Sequence, residues 1–263
     1  MDHCFSVVVG WVFYFFVKRL YMSKSSKFVV PDYNSQLGAV WGKWEKKTRR
    51  WEPLMNHLLT TMEMGSLVWR NIADGDDKRT LAAVFGSEDV AHKWVRFYCG
   101  IHDVGKASPL FQSQSKPLSS ALSEVGLLVP EVPQKWLTAG RHDAVGAWAV
   151  AYYLAENRKF RQANVLSYAA PVGRHHDRVF DADVFAAAGK FVIMFETHAW
   201  QLLRNEIIGA VFEQSGLTKA QVHSRTTEKL PDEAVDVVVK VVRLADRISS
   251  DSYFFPYSKK VSS

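Results

Sequence analysis

Along most of the chain apolar residues recur at spacings of three and four and seldom alternate, so the pattern predicts helices. The clearest stretch is Asp232 to Ser249, where Val235, Val239, Val242 and Asp246 share one helical face while Lys240, Arg243 and Arg247 point elsewhere. Pro53 to Trp69 reads as another helix, opened by its proline, with Leu54, His57, Thr61 and Met64 on a common face. Further helices are expected over Val90 to Gly100, Asp143 to Asn157, Asp183 to Trp200 and Trp200 to Gln214. Gln112 to Lys135 and Ser215 to Pro231 are polar or proline-bearing connections, the first read either as a mobile cover or as an ordinary surface link. Repeats are absent, and the expected fold class is all-α.

The exception is the apolar run Phe5 to Val17 (FSVVVGWVFYFFV). It falls short of the roughly 20 apolar residues of a membrane span, follows an acidic residue, Asp2, and lacks a small-residue cleavage site. Met22 opens a second plausible start, so residues 1–21 read as an upstream extension of the reading frame, packed or extraneous rather than a membrane anchor; the domain division is an N-terminal extension over 1–36 and one domain over 37–263. A chain of 263 residues is long enough for one well-cored domain. Cys4 and Cys99 are too few for a disulfide framework and lack zinc-site spacing, which suits a reducing cytoplasm. The net charge of +6 is spread over Lys43, Lys46, Lys47, Arg49, Arg50, Arg158, Lys159, Arg161, Arg174 and Arg178. Such a spread suits a surface that meets phosphates, although mild basicity is also common without that role.

Seven histidines and aspartates change the picture. A carboxylate on an apolar stripe, as at Asp246, costs on the order of several kcal/mol unless a metal or an arginine neutralises it. His57 shares that setting, and alone reads as an ordinary core histidine. His102 and Asp103 stand between Gly100 and Gly105, where backbone freedom is expected to let both side chains reach one point. His142 opens a helix after Gly140, with Val145 and Ala149 continuing its face, and His175-His176 follow Pro171 and Gly173 in a turn. Each is weak alone; together, five imidazoles and two carboxylates suit manganese, iron, cobalt, nickel or zinc better than magnesium. His3, His92, His198 and His223 lack such settings and are read as structural or exposed. Gly100 to Lys106 (GIHDVGK) imitates a P-loop, but Ala107 stands where a serine or threonine is required and the preceding segment reads as helix.

HDVGKASPLFQ (His102 to Gln112) resembles the HD signature of the nuclease domain of the type I CRISPR-associated nuclease-helicase, within the wider HD phosphohydrolase superfamily. RHDAVGA, GRHH and LADRISSD follow in the family's order, and VWGKWEKKTRRWEPLMNHLL is similar to its opening helix, so the resemblance runs from Val40 to Asp251. It implies an HD-domain helical bundle with one metal on His57, His102, Asp103 and Asp246, and a second on His142, His175 and His176 with Asp103 between the two. The ions implied are two divalent transition metals, manganese, cobalt, nickel or iron ahead of magnesium. Asp103 and Lys106 become the catalytic residues, Lys106 as a phosphate or transition-state contact, although a plain ion pair fits it too. Ser249 and Ser250 would orient substrate or water, and Arg174 and Arg178 would guide a nucleic-acid backbone. Asp177 stands where the family usually has glycine, which would alter the approach of DNA. The implied activity is hydrolysis of single-stranded DNA in antiviral CRISPR interference, alongside a separate helicase and a crRNA-guided surveillance complex. No helicase sequence follows Asp251, so the chain reads as a separate subunit, a fragment or a truncated relative. The rivals are an HD phosphohydrolase acting on small nucleotides and a non-catalytic homologue that regulates or competes at the partner complex.

Overall fold

The computed structural model describes residues 35–252 and 255–261. The apolar run at 5–17, Cys4, His3 and Met22 lie outside the described residues. Among the described residues no helix is long and apolar enough to cross a membrane.

The architecture is helical, as the periodicity predicts, with one small sheet added. A short helix, α1 (Ser35–Ala39), leads into strands β1 (Trp41–Glu45) and β2 (Arg50–Pro53), which pair antiparallel; β3 (Lys259–Lys260) adds to the β2 edge. The β1–β2 register slips between Trp41 and Lys43, a bulge at Gly42. Glycine suits that position because a Cβ there would stand 3.0 Å from the Leu54 Cα, tighter than an ordinary contact. Helix α2 (Leu54–Asn71) follows at once, capped by Pro53, then α3 (Gly75–Phe85) and α4 (Glu88–Ile101). The short α1 was not expected from the periodicity, and neither was α3, which buries only Leu81 and Phe85, too narrow a stripe to stand out. Its capping signals were nevertheless in the sequence, Asp74 accepting from the Asp77 N–H and Gly86 closing the helix at φ 94°.

Helix α4 is the centre of the core. Trp94, Phe97 and Tyr98 are fully buried, with Trp94 stacked on Phe85 at 5.0 Å, and α2, α10 and α12 pack around them. After the short α5 (Pro109–Gln112), the stretch Gln112 to Lys135, expected as a cover or a connection, forms a series of helical turns, including α6 (Lys116–Ser119), that bury Leu118, Leu122 and Leu127. Helices α7 (His142–Arg158) and α8 (Gln162–Gly173) form the most extensively packed helix pair; α8 carries Pro171 in its last turn and was not expected from the periodicity.

The helix expected over Asp183 to Trp200 divides. α9 (Ala182–Phe195) ends, Glu196 turns extended, and α10 (His198–Ser215) begins after Thr197. The reason is tertiary: the buried Glu196 carboxylate pairs with the buried Arg204 guanidinium, whose Nη1 also donates to the Ala107 carbonyl at 2.7 Å. The Ser215–Pro231 connection holds the short α11 (Lys219–His223) with a capping box from Thr218 and Gln221. Helix α12 spans Asp232–Ser249, the range read from the sequence, and buries Val235, Val239 and Val242.

Candidate metal centre

The seven singled-out residues come from element ends that converge beside α4. His57 lies in the first turns of α2, and His102 and Asp103 form the turn after α4. His142 is the first residue of α7, His175 and His176 form the turn after α8, and Asp246 sits in the last turn of α12. The expected role of the flanking glycines needs correcting. Neither Gly100 nor Gly105 has a positive φ; both are required by close packing. A Cβ on Gly100 would strike Val211 and one on Gly105 would strike the His142 carbonyl, so Gly105 lets the His102-Asp103 turn lie against the start of α7.

Asp103 divides its carboxylate between two clusters. Its Oδ2 lies 3.2 Å from His57 Nε2 and 3.3 Å from His102 Nε2, and Asp246 Oδ1 closes that group at 3.3 and 3.5 Å from the same nitrogens. Its Oδ1 lies 3.3 Å from His142 Nε2 and 3.4 Å from His175 Nε2, while His176 Nε2 stands 2.8 Å from His142 Nε2. Within each group of four the donor atoms lie within 4.8 Å of one another. The backbone fixes two of the rings. His102 Nδ1 meets the Cys99 carbonyl at 2.9 Å and His175 Nδ1 meets the Val172 carbonyl at 2.6 Å. A carbonyl only accepts, so each Nδ1 carries a proton, and each Nε2 is the inward nitrogen that either takes a second proton or binds a cation.

That arrangement fits cations. His102 Nε2, His175 Nε2 and Asp103 Oδ1 are buried without a hydrogen-bond partner, an arrangement costly in a low-dielectric site unless a ligand completes it. The electrostatics agree. Burial presses the His102 pKa down, but Asp103 and Asp246 outweigh it and hold it at about 9. Burial alone would raise both carboxyls, yet Lys106 and His102 hold Asp103, and His102 and His57 hold Asp246, well below the usual carboxylate range. Burial lowers His57, and burial together with His175 and His142 lowers His176 to about 4. The pull that keeps a proton on His102 would hold a divalent ion in its place. Of the two neutralisers that the sequence left open for Asp246, no arginine is found beside it among the described residues: its partners there are His57, His102 and Lys43, and its side chain is 26% exposed.

The other expected site residues fall at varied distances from the chemistry. Lys106 Nζ sits 2.6 Å from Asp103 Oδ2 and donates to the Gly42 carbonyl at 3.1 Å, a partly buried ion pair at the centre's edge. Ser250 donates to Asp246 Oδ1 at 2.9 Å, so it touches a candidate ligand carboxylate. Ser249 is buried, 2.7 Å from Thr61 Oγ1 and 3.1 Å from the Asp246 carbonyl, which commits its hydroxyl to helix packing. Arg174 is already paired, with Asp236 at 2.7 Å and Asp232 at 3.6 Å. Arg178 is exposed and lines two surface grooves, one of about 550 Å³ that reaches His142 and one of about 650 Å³ that reaches Arg243. His92 bonds to Ser66 Oγ at 2.8 Å, and His198 and His223 are exposed, all away from the centre.

Three supporting residues were not singled out from the sequence. Gln112 bridges β1 to the segment that follows the His102-Asp103 turn: its amide donates to the Trp41 and Lys106 carbonyls at 2.8 and 2.9 Å and accepts from the Trp41 N–H. Asp143 is buried under a two-pronged ion pair from Arg141, both contacts 3.0 Å, beside His142. Lys43, counted only among the basic residues, reaches Ser250 and stands 3.9 Å from Asp246 Oδ1. Its sole sequence signal was its place in VWGKWEKK just ahead of the first histidine helix.

Comparison with known proteins was made against this geometry. Residues 41–255 match the family model described as Cas3, HD domain. The CRISPR-associated endonuclease/helicase Cas3 of Thermus thermophilus is 26% identical over 217 residues, covering 82% of this chain and 23% of that protein. The chain spans about a quarter of the length of the curated relatives it matches. Among solved structures, the Thermus thermophilus Cas3 HD domain crystallised in the presence of nickel superimposes with a TM-score of 0.58 at 23% identity, covering 86% of this chain and 81% of that one. A chain of a CRISPR RNA-guided surveillance complex, in a pre-nicking state, gives a TM-score of 0.63 at 20% identity, covering 82% and 25%. At these identities the structural likenesses establish the fold.

Proposed function

Because the chain belongs to the Cas3 HD-domain family, we propose that it is a metal-dependent nuclease that hydrolyses phosphodiester bonds of single-stranded DNA in CRISPR interference, alongside a helicase and a crRNA-guided surveillance complex. The observation that carries this reading is Asp103, whose two oxygens face two separate histidine clusters. Two divalent ions on those clusters would polarise a phosphoryl oxygen and lower the pKa of an attacking water. The donor set favours manganese, cobalt, nickel or iron over magnesium, and the likeness to a relative crystallised with nickel supports that choice.

The chain's own residues supply position and charge. Asp103 and Asp246 provide the anionic ligands, and the Nδ1 bonds of His102 and His175 make their inner Nε2 atoms the coordinating nitrogens, a divalent ion taking the place of any proton there. Lys106, held between Asp103 and the Gly42 carbonyl, is placed to meet a phosphoryl oxygen at the rim. Arg178 stands where the two surface grooves meet and can follow a flexible backbone without reading bases, whereas Arg174 is occupied by its acidic partners.

The test combines metal analysis of the purified chain with cleavage of labelled single-stranded DNA, blunt duplex and mononucleotides in manganese. Two ions per chain and preferential loss of the single strand are expected. Turnover of mononucleotides alone would replace this reading by a small-nucleotide phosphohydrolase, and no turnover with both ions bound would leave a non-catalytic homologue.

A further inference from the structure

We infer that Lys43 is a second phosphate-contacting lysine, serving the His57, His102 and Asp246 side of the centre as Lys106 serves the Asp103 side. This rests on the nuclease reading and names a substrate contact within it.

Lys43 is fixed in place by what surrounds it. The bulge at Gly42 sets its direction, Lys106 donates to the Gly42 carbonyl, and Gln112 grips Trp41 through both its N–H and its carbonyl. Its side chain is 14% exposed. In the first cluster the side chains of His57, His102 and Asp103 are at most 2% exposed, whereas Asp246 is 26% exposed. The open side of that cluster is therefore the side shared by Asp246 and Lys43, and a substrate reaching it passes the Lys43 ammonium.

Charge supplies the second argument. An ammonium has three donors and no acceptor. Ser250 takes one donor of Lys43, and Asp246 Oδ1, at 3.9 Å, lies beyond a direct hydrogen bond. With Asp103 and Asp246 committed to divalent ions, two lysines beside those ions repel them unless an anion enters. A phosphodiester meets that demand, with one lysine available on each side of the scissile group.

The experiment uses the full chain loaded with manganese, and thymidine 5′-monophosphate as a probe that carries a phosphate but no diester bond. Metal content, circular dichroism and the probe's dissociation constant are measured for the wild type, Lys43→Met and Lys43→Arg. Lys43→Met should keep two ions and native helicity yet bind the probe about 10-fold more weakly or worse, as loss of a charge-assisted contact requires. Lys43→Arg should stay within a few-fold of wild type. Unchanged probe affinity in Lys43→Met, or loss of an ion from it, overturns the inference while leaving the nuclease reading intact. A wild type that binds two ions but neither the probe nor DNA overturns both.

Discussion

The Asp177 carboxylate receives both terminal nitrogens of Arg243, and its backbone stands at φ 55°, in the left-handed region. The pair links the His175-His176 turn to α12, the helix that carries Asp246. Left-handed backbone costs an L-residue about 1 kcal/mol, a cost that glycine escapes. Asp177→Gly should therefore gain roughly 1 kcal/mol of backbone freedom and lose about 0.2–1 kcal/mol of exposed ion pair. Asp177→Ala loses the pair and gains nothing, so urea unfolding should rank Gly above Ala by about 1 kcal/mol. The reverse order would refute the strain account.

Gly105 packs against the opening residues of α7, where a Cβ would strike the His142 carbonyl and the Gly146 N–H. Gly105→Ala must push the metal turn away from α7. We expect a loss of about 1–3 kcal/mol in stability. Weakened binding of the ion on the His142 side should accompany it, read by metal titration. A variant with wild-type stability and two ions would show that the contact yields freely.

Asp103 is the carboxylate common to both clusters. Asp103→Ala should lose both ions and more than about 100-fold of cleavage, whereas Asp246→Ala should weaken one ion selectively. Retention of both ions in Asp103→Ala would exclude the shared-ligand arrangement.

Stability in chelator should depend on pH on both sides of neutrality. His102, raised to about 9, favours folding fully below the unfolded imidazole pKa of about 6.5, and that contribution disappears as pH climbs through about 9. His57, His92 and His176 are lowered, the last two to about 4, so the unfolded chain binds more protons than the folded one below about pH 6.5. Their contribution is lost as pH falls from 6.5 towards 4. Asp103 and Asp246, held low, stabilise above the usual carboxylate range and lose that effect only in stronger acid. Thermal midpoints should therefore peak near pH 6.5, and manganese should flatten the alkaline decline by replacing the His102 proton. A midpoint constant from pH 6.5 to 9 in chelator would contradict the His102 assignment.

ATP should leave cleavage unchanged. GIHDVGK begins inside α4, a helix that ends at Ile101, where a P-loop needs a preceding strand, and Ala107 follows it, so this P-loop-like run has neither the geometry nor the hydroxyl for nucleotide-bound magnesium. Single-stranded DNA should be cut and blunt duplex spared, with cleavage falling as salt rises if Arg178 guides the backbone. ATP-stimulated duplex degradation by the chain alone would overturn this.

The sequence by itself determined the elements whose signals are local. Val235, Val239 and Val242 with Asp246 marked α12 to its observed limits, and Pro53 with Leu54, Thr61 and Met64 placed His57 on an inward face, because amphipathic period and capping are written within a few turns. The narrow stripe of α3 and the proline in α8 blurred that signal, and the break after Phe195 was invisible because it goes with a buried pair between Glu196, in the extended link, and Arg204 on the next helix. Only the tertiary structure decided which cluster each Asp103 oxygen serves and that Gly105 is there for contact with α7. The same holds for Lys43, which reaches Ser250, 207 residues away, through a bulged hairpin. Such relations depend on how distant elements pack, and hydrophobic periodicity within one segment carries no information about its partners.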